Sequence, residues 1–468
     1  MMMIPKNRKA SFYIGMTCPG CGGELQLEDD FFVTSCPHCG SIFRIELPDL
    51  PPAYLIQSKV NKPEARFGIN KYLKENNLPL TNSGLQLKQL YYPYWKIDAV
   101  LLRYRKKKYE AIVIEESRYN QEASYERERE EISLSPYMNT ISAGNYFEGI
   151  PHTIGLRAEY IKMEPYSSDN IQEDFDTLPV LKQWEDIRKN ILNTVETIDG
   201  IDLNEFGSNK TKIFYPKASI VYFPYFIFES YTNGGFHRYI VDGVSGRMVN
   251  HLSHLDDSDL VSPDSPQIKF GSLRVSAHRC PTCGEDLPAV KSFVYICHNC
   301  NTFISLEKNS LLEEQVFIAE SSDNKDDKMF PFWAFKISET DSKYLKNMFG
   351  GIYSSDYLII PAFKVPNFNA MYRLTKRISS AFPHLRLKNS EKWGHRFYWV
   401  NISLTDAMMY AEIFIQREKY AKAKREEEDI TTFDPKEVKL FFAPFHSENY
   451  FYVDSVLNAI TFEKNLIP

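Results

Sequence analysis

Eight cysteines occur in this chain of 468 residues, and all eight fall into four Cys-x-x-Cys knuckles grouped as two pairs. The first pair is Cys18-Pro-Gly-Cys21 with Cys36-Pro-His-Cys39, and the second is Cys280-Pro-Thr-Cys283 with Cys297-His-Asn-Cys300. Fourteen residues separate the knuckles of the first pair and thirteen those of the second, with no cysteine left over. A two-residue gap lets both sulfurs of one tight turn reach one ion. A second turn on a facing hairpin then completes the four-thiolate tetrahedron that Zn²⁺ prefers. The spacing predicts two short zinc ribbons holding two Zn²⁺ per chain. The metal ligands are Cys18, Cys21, Cys36 and Cys39 in one, and Cys280, Cys283, Cys297 and Cys300 in the other. Iron also accepts four thiolates, and the sequence leaves that alternative open. His38 and His298 lie inside knuckles already supplied with four sulfurs and read as turn residues.

A disulfide framework belongs to small secreted domains, whereas this chain is long and sparse in cysteine. A thioredoxin-like pair needs one knuckle beside a βαβ pattern, not four in matched pairs. Hydrophobic residues make up 43% and charged residues 25%, an ordinary globular balance that suits two to four domains. The formal net charge of −6 supplies no global attraction for nucleic acid or an anionic bilayer. The longest apolar run, Ile220 to Phe228, has nine residues and contains Pro224, well short of the roughly 20 that a membrane span needs. The basic start, Met1 to Lys9, lacks the apolar stretch of a signal peptide. A cytoplasmic, soluble protein without a membrane span is the expectation.

The ribbons open two halves that read as copies. Each ends with a Phe, Phe43 or Phe303, three or four residues past its last cysteine. Lys59-Val60 precede a helix carrying Ala65 and Ile69, and Lys364-Val365 precede another carrying Ala370, Leu374 and Ile378. Proline-centred aromatic strands recur four times: Tyr91-Tyr-Pro-Tyr-Trp95, Tyr222-Phe-Pro-Tyr-Phe226, Phe330-Pro-Phe-Trp333 and Phe442-Ala-Pro-Phe445. Amphipathic helices are expected over Val180 to Val195 and from Thr405 into the charged stretch Arg417 to Asp429. Hairpin-like segments, Tyr239 to Gly246 and Tyr452 to Asn458, close each half. Strands outnumber helices, so the expected class is α+β with antiparallel sheets. Two tandem halves arise by internal duplication: ribbon 1 over residues 12–47, α+β domain 1 over 53–250, ribbon 2 over 272–308 and α+β domain 2 over 312–468. The acidic segment His251 to Pro266 reads as the connector.

Aromatics reach 14% of the chain, and four copies of the aromatic-proline signature argue for packing rather than for four binding sites. Proline cannot donate to a ladder, so each copy is expected at a strand edge or bulge. Ribbon 1 carries Glu24, Glu28, Asp29, Asp30 and Glu46 against Arg44 alone, which repels phosphate, and ribbon 2 is near neutral. The one basic cluster, Arg103, Arg105, Lys106, Lys107 and Lys108, reads as a solvated hairpin tip. No Gly-rich phosphate loop, His-Glu-x-x-His or Gly-x-Ser-x-Gly is present, and four cysteines close a zinc site that catalysis would need open. No catalytic residue and no other cofactor is proposed from the sequence.

A Cys-Pro-x-Cys-Gly ribbon, then Lys59-Val60, an Ala-bearing helix and Tyr91-Tyr-Pro-Tyr-Trp95 together resemble bacterial zinc-ribbon proteins of largely unknown function. Those proteins are labelled by analogy with transcription-factor or primosomal zinc ribbons. The resemblance runs mainly from Cys18 to Ala99. It implies a cytoplasmic, non-enzymatic accessory role inside a larger assembly, with any membrane association made through a partner. The expected function is a structural or adaptor protein that binds other protein chains. The alternative is a nucleic-acid-binding accessory factor using ribbon 2 and the Arg103–Lys108 cluster, a reading that the charge balance disfavours.

Overall fold

The computed structural model describes residues 13–28, 33–46, 50–77, 86–114, 122–144, 148–155, 161–187, 191, 210–232, 235–253, 269–271, 273–307, 309–320, 327–339, 341–342, 345, 356–365, 368–389, 396–422 and 433–466. The chain divides into two compact units. Met1–Val100, Pro136–Gly200 and Pro216–Ala277 form the first, and Leu101–Ser135, Ile201–Tyr215 and His278–Pro468 form the second. Both are α+β with mainly antiparallel strand pairing, as the sequence pattern predicts.

Ribbon 1 begins with the hairpin β1 (Tyr13–Thr17) and β2 (Glu24–Glu28), followed by β3 (Val33–Ser35) and β4 (Ile42–Glu46). The chain continues through β5 (Ala53–Leu55), helix α1 (Lys62–Glu75), β6 (Gln86–Ile114), β7 (Glu122–Ser142), β8 (Glu164–Pro165), β9 (Asp176–Thr177), β10 (Lys210–Thr232), β11 (Gly235–Asp242) and β12 (Met248–Leu252), of which the parts of β6 and β7 within Leu101–Ser135 and the start of β10 within Ile201–Tyr215 count with the second unit. These strands build one sheet in the order β12-β11-β10-β5-β8, with β6 also on β10 and with β7 and β9 on β6. A later strand, β13 (Arg274–Ala277), pairs antiparallel with β4, so residues that follow the acidic connector complete the ribbon 1 sheet. Residues 254–268 of that connector lie outside the described residues.

Ribbon 2 contains β14 (Val294–Ile296), β15 (Phe303–Glu307) and β16 (Ser310–Glu313). The second sheet uses β17 (Val316–Ala319), β18 (Lys328–Lys336), β19 (Tyr357–Pro361), β20 (Leu387–Asn389), β21 (Arg396–Phe397), β22 (Glu437–Glu448), β23 (Phe451–Asp454) and β24 (Thr461–Glu463). Its order is β19-β18-β22-β17-β20, with β21 on β18, β23 on β22 and β24 on β23. Helices α2 (Phe368–Ala381) and α3 (Leu404–Lys422) flank it. The charged stretch expected to continue α3 lies outside the described residues from 423 to 432. Of the helix expected over 180–195, residues 184–187 and 191 are described as helical, with Val180, Ile187 and Ile191 buried.

The four aromatic-proline segments are all core strands, and each proline occupies the same kind of place. On β10, Ile220 to Tyr222 pair parallel with β5, and from Tyr225 onward the antiparallel partner is β11. Pro224 falls at the change of partner. On β22, Val316 to Ile318 of β17 pair parallel with Leu440 to Phe442, β23 takes over from Phe445, and Pro444 falls between. On β18, β21 pairs parallel up to Met329, β19 pairs antiparallel from Phe332, and Pro331 falls between. On β6, β9 reaches Tyr91, and Ala143, just past the end of β7, bonds to Pro93. A strand edge that changes partner leaves one N–H without a ladder acceptor, and proline has none to leave. Its carbonyl is used: Pro93, Pro224, Pro331 and Pro444 accept from Ala143, Gly243, Ala362 and Ser455 at 2.9–3.0 Å. The flanking rings turn inward, and Tyr91, Trp95, Phe223, Phe226, Phe330 and Phe332 are at most 1% exposed.

The same hydrogen bonds recur in both units. Ala143 accepts from Leu181 and Lys182 in the first unit, and Ala362 accepts from Asn401 and Ile402 in the second. The indole N–H of Trp95 donates to Lys182 at 2.9 Å, and that of Trp333 to Ile402 at 3.0 Å. Asp242 stands opposite Tyr225 and caps the β11 turn by accepting from Val244 and Ser245. Asp454 stands opposite Phe445 and accepts from Val456 and Leu457. Each turn ends on a left-handed residue, Gly246 at φ 68° or Asn458 at φ 51°.

The helices do not follow that correspondence. α1 follows β5, the strand parallel to β10, whereas α2 follows β19, the strand antiparallel to β18. The Lys-Val pairs therefore precede helices at different places in the sheet plan. α1 is opened by a capping box, with Asn61 and Glu64 bonding each other's backbone N–H at 2.9 Å. It packs Ala65, Ile69 and Leu73 onto Phe226, Phe228, Tyr239 and Val241. Gly68 permits that seat, because a Cβ there would lie 2.2 Å from the Gly246 carbonyl oxygen. The basic residues Arg103–Lys108 lie inside β6, not at its tip, and β6 pairs with β7, which carries Glu126 to Glu131. Arg103 donates to the Ser135 hydroxyl at 2.7 Å. The side chains of Arg105 to Lys108 lie outside the described residues.

Candidate metal centres

Each knuckle is a turn closed by the same two backbone bonds. Cys18 donates to Gly23 and accepts from Gly22, Cys36 donates to Ser41 and accepts from Gly40, Cys280 donates to Glu285 and accepts from Gly284, and Cys297 donates to Thr302 and accepts from Asn301. The residue that accepts the left-handed bend is Gly22, Gly40, Gly284 or Asn301, at φ from 56° to 78°. Glycine and asparagine are the residues that tolerate this region.

All eight predicted ligands are brought together in the predicted sets, each set's sulfurs lying within 4.8 Å of one another. Across the knuckles, Cys18–Cys39 and Cys21–Cys36 are 3.8 and 3.7 Å apart, and Cys280–Cys300 and Cys283–Cys297 are 3.6 and 3.5 Å apart. Four thiolates bound tetrahedrally at about 2.3 Å would have edges of about 3.8 Å. The donor set and the spacing fit zinc. In each set the first cysteine of both knuckles is buried and the second is accessible. His38 and His298 are exposed turn residues and belong to neither set.

Sequence reasoning missed a second layer. Hydroxyls of Ser41 and Thr302, each two residues past the last cysteine, lie 3.4 and 3.2 Å from the sulfurs of Cys39 and Cys300. These contacts bring the Cys39 and Cys300 thiols down to about 6, the side-chain hydroxyl being the largest cause in both. Such contacts favour the thiolate, the form that binds metal. The Cys-x-Ser and Cys-x-Thr spacings were the available signal.

The ribbons join their sheets differently. Gly15 donates to Met163 at 3.1 Å, Lys162 pairs with Glu24 at 2.5 Å, and Ile45 reaches the apolar core around Tyr54 and Tyr225. Phe43 stays in the ribbon, packed with Cys18, Leu25 and Cys36. In ribbon 2, Val294 and Phe303 are themselves members of the large core with Trp333, Phe414 and Phe442. The Ser292 hydroxyl, 2.6 Å from the Val294 carbonyl, also reaches that of Val400. By knuckle hydrogen bonds Phe43 corresponds to Ile304, not Phe303. A one-residue offset in a strand places the two phenylalanines on opposite faces. His278, fully buried, packs edge-on to Tyr295 at 4.5 Å.

Two four-cysteine metal-binding sites compatible with zinc ribbons therefore define the class of module present. No family model matches this chain, and no curated protein or solved structure matches it. Among the described residues no helix is long and apolar enough to cross a membrane.

Proposed function

We propose that this protein is a non-enzymatic, cytoplasmic adaptor of two halves related by internal duplication. Each half is stapled by a structural zinc ribbon, and together they hold protein partners in a larger assembly. The matched partner changes at the four prolines, and the paired Trp and Asp hydrogen bonds, support the duplication. The observation that carries the adaptor reading is unequal growth on that common plan. β6, β7 and β10 run to 29, 21 and 23 residues, whereas their counterparts β18, β19 and β22 have 9, 5 and 12. The surplus, which takes in Leu101–Ser135, carries charge of both signs on neighbouring strands, a composition suited to a polar protein interface rather than to a phosphate-seeking face. Exposed Phe67 and Tyr450, at 69% and 82%, add apolar anchors of the type that interfaces favour.

The test replaces residues 105–133 by Asn-Gly and compares native-lysate capture by the two proteins, in parallel with oligonucleotide binding across a salt series. Loss of the captured partner from the shortened protein is expected, with parent affinity for nucleic acid in the non-specific range of about 10⁻⁴ to 10⁻⁶ M. Nanomolar oligonucleotide binding by the parent that disappears in the triple variant K106A/K107A/K108A would make the protein a nucleic-acid accessory factor instead.

A further inference from the structure

We infer that His237 and His251 form a third, open metal site, a two-imidazole chelate for a borderline divalent transition ion such as Ni²⁺, Cu²⁺ or Zn²⁺. The two residues lie on neighbouring strands, β11 and β12, whose register sets Tyr239 opposite His251. Side chains two apart on a strand share a face, so His237 presents its ring beside that of His251. Nδ1 of His237 is 3.1 Å from Nε2 of His251. Two nitrogens held at about 2.0–2.1 Å from one ion are about 2.9 Å apart at a right angle and about 3.4 Å apart at the tetrahedral angle. The observed separation lies between these limits.

The site is held in shape before any ion arrives. His251 stacks on Tyr239 with centroids 4.6 Å apart and planes 10° from parallel, and Tyr72 of α1 meets it edge-on at 6.3 Å. Both histidines are half-buried, which leaves room for an ion with its waters. A neutral imidazole offers one ring lone pair to a metal ion. In the free pair, one ring N–H donates to the other ring's lone pair. On metal binding that proton moves to the far nitrogen of its own ring, both near lone pairs turn to the ion, and no proton is lost. Two protein ligands leave the other positions to water, unlike the closed cysteine sites. On the strand plan shared by the two units, Glu463 stands where His251 does, and the tighter turn between β22 and β23 leaves His237 without a counterpart, so the chelate belongs to the first unit's hairpin.

The experiment titrates NiCl₂ into zinc-loaded full-length protein by calorimetry and records the electron paramagnetic resonance spectrum with one equivalent of Cu²⁺. One additional ion per chain is expected, with hyperfine structure from two nitrogens. His237→Gln and His251→Gln should each weaken Ni²⁺ binding at least tenfold while keeping two zinc ions, and exposed His384→Gln should leave it unchanged. Absence of a third ion up to millimolar Ni²⁺, or parent-like binding by either of the first two variants, overturns the assignment. If those variants lose zinc, the parent's copper spectrum decides: one nitrogen or none overturns it.

Discussion

The two halves of this protein share a sheet plan and differ in how the ribbon is wedded to it. Ribbon 1 keeps its phenylalanine for its own cysteines and touches the sheet through Ile45, a backbone bond to Met163 and a surface ion pair. Ribbon 2 gives Val294 and Phe303 to the main core. The first is a module clipped onto its sheet, and the second is a corner of its sheet. A structural metal should therefore matter locally in one half and globally in the other.

The largest expected effect follows directly. Metal binding in small zinc modules contributes on the order of 10–16 kcal/mol to folding. Cys21→Ser should unfold ribbon 1 and leave the first unit's main transition nearly in place, whereas Cys283→Ser should lower the melting transition of the second unit. Calorimetry with metal analysis checks this, and equal shifts in the two variants would break the contrast. Next in size, Phe303→Ala should cost about 3–5 kcal/mol as a large core truncation. Ile42→Ala, at the position that corresponds by knuckle hydrogen bonds and only half-buried, should cost under about 1 kcal/mol in denaturant unfolding. Gly68→Ala should destabilise the first unit by about 1–3 kcal/mol, because the new Cβ overpacks against the Gly246 carbonyl. No such effect is expected at α2, which has a different seat.

The turn aspartates sharpen the comparison further. Asp454 accepts backbone N–H bonds from Val456, Leu457, Ala459 and Ile460, and Asp242 accepts from Val244 and Ser245. Bonds to a charged acceptor contribute roughly 1.5–3 kcal/mol each and are not additive. Asp454→Ala and Asp242→Ala should therefore each destabilise their own unit by at least about 1.5 kcal/mol, and a neutral result at either position would argue against equivalent turns. The smallest effect concerns pH. Burial opposes ionisation of Glu229, but hydrogen bonds and charge from Lys88 and Arg238 outweigh it and hold its carboxyl below the usual range. A depressed carboxylate stabilises the fold above its ordinary value near about 4.3 and loses that contribution as pH falls through the folded value. Glu229→Gln should flatten the acid limb of the first unit's stability curve. The matching turn position in the second unit is Asn449, so that limb should not change there.

Legibility in the sequence followed locality. The metal ligands were readable because a Cys-x-x-Cys turn is set by five or six neighbouring residues. The aromatic-proline segments were readable as buried strands, but not as partner changes, since those depend on segments more than a hundred residues away, such as β5 against β10. Local likeness misled where topology decides. Lys59-Val60 and Lys364-Val365 precede helices in different places, and Phe43 and Phe303 face opposite ways. Nothing in the sequence indicated that Arg274 to Ala277 would close the sheet of ribbon 1.

The central claim is that two closed cysteine sites, one per half, each hold a structural zinc ion. Native mass spectrometry with elemental analysis of full-length protein, purified under reducing conditions and washed with chelator, tests it most directly. The account predicts two zinc ions per parent chain and one in each of Cys21→Ser and Cys283→Ser. Fewer than two retained ions in the parent, iron in place of zinc, or a disulfide within either set would contradict it.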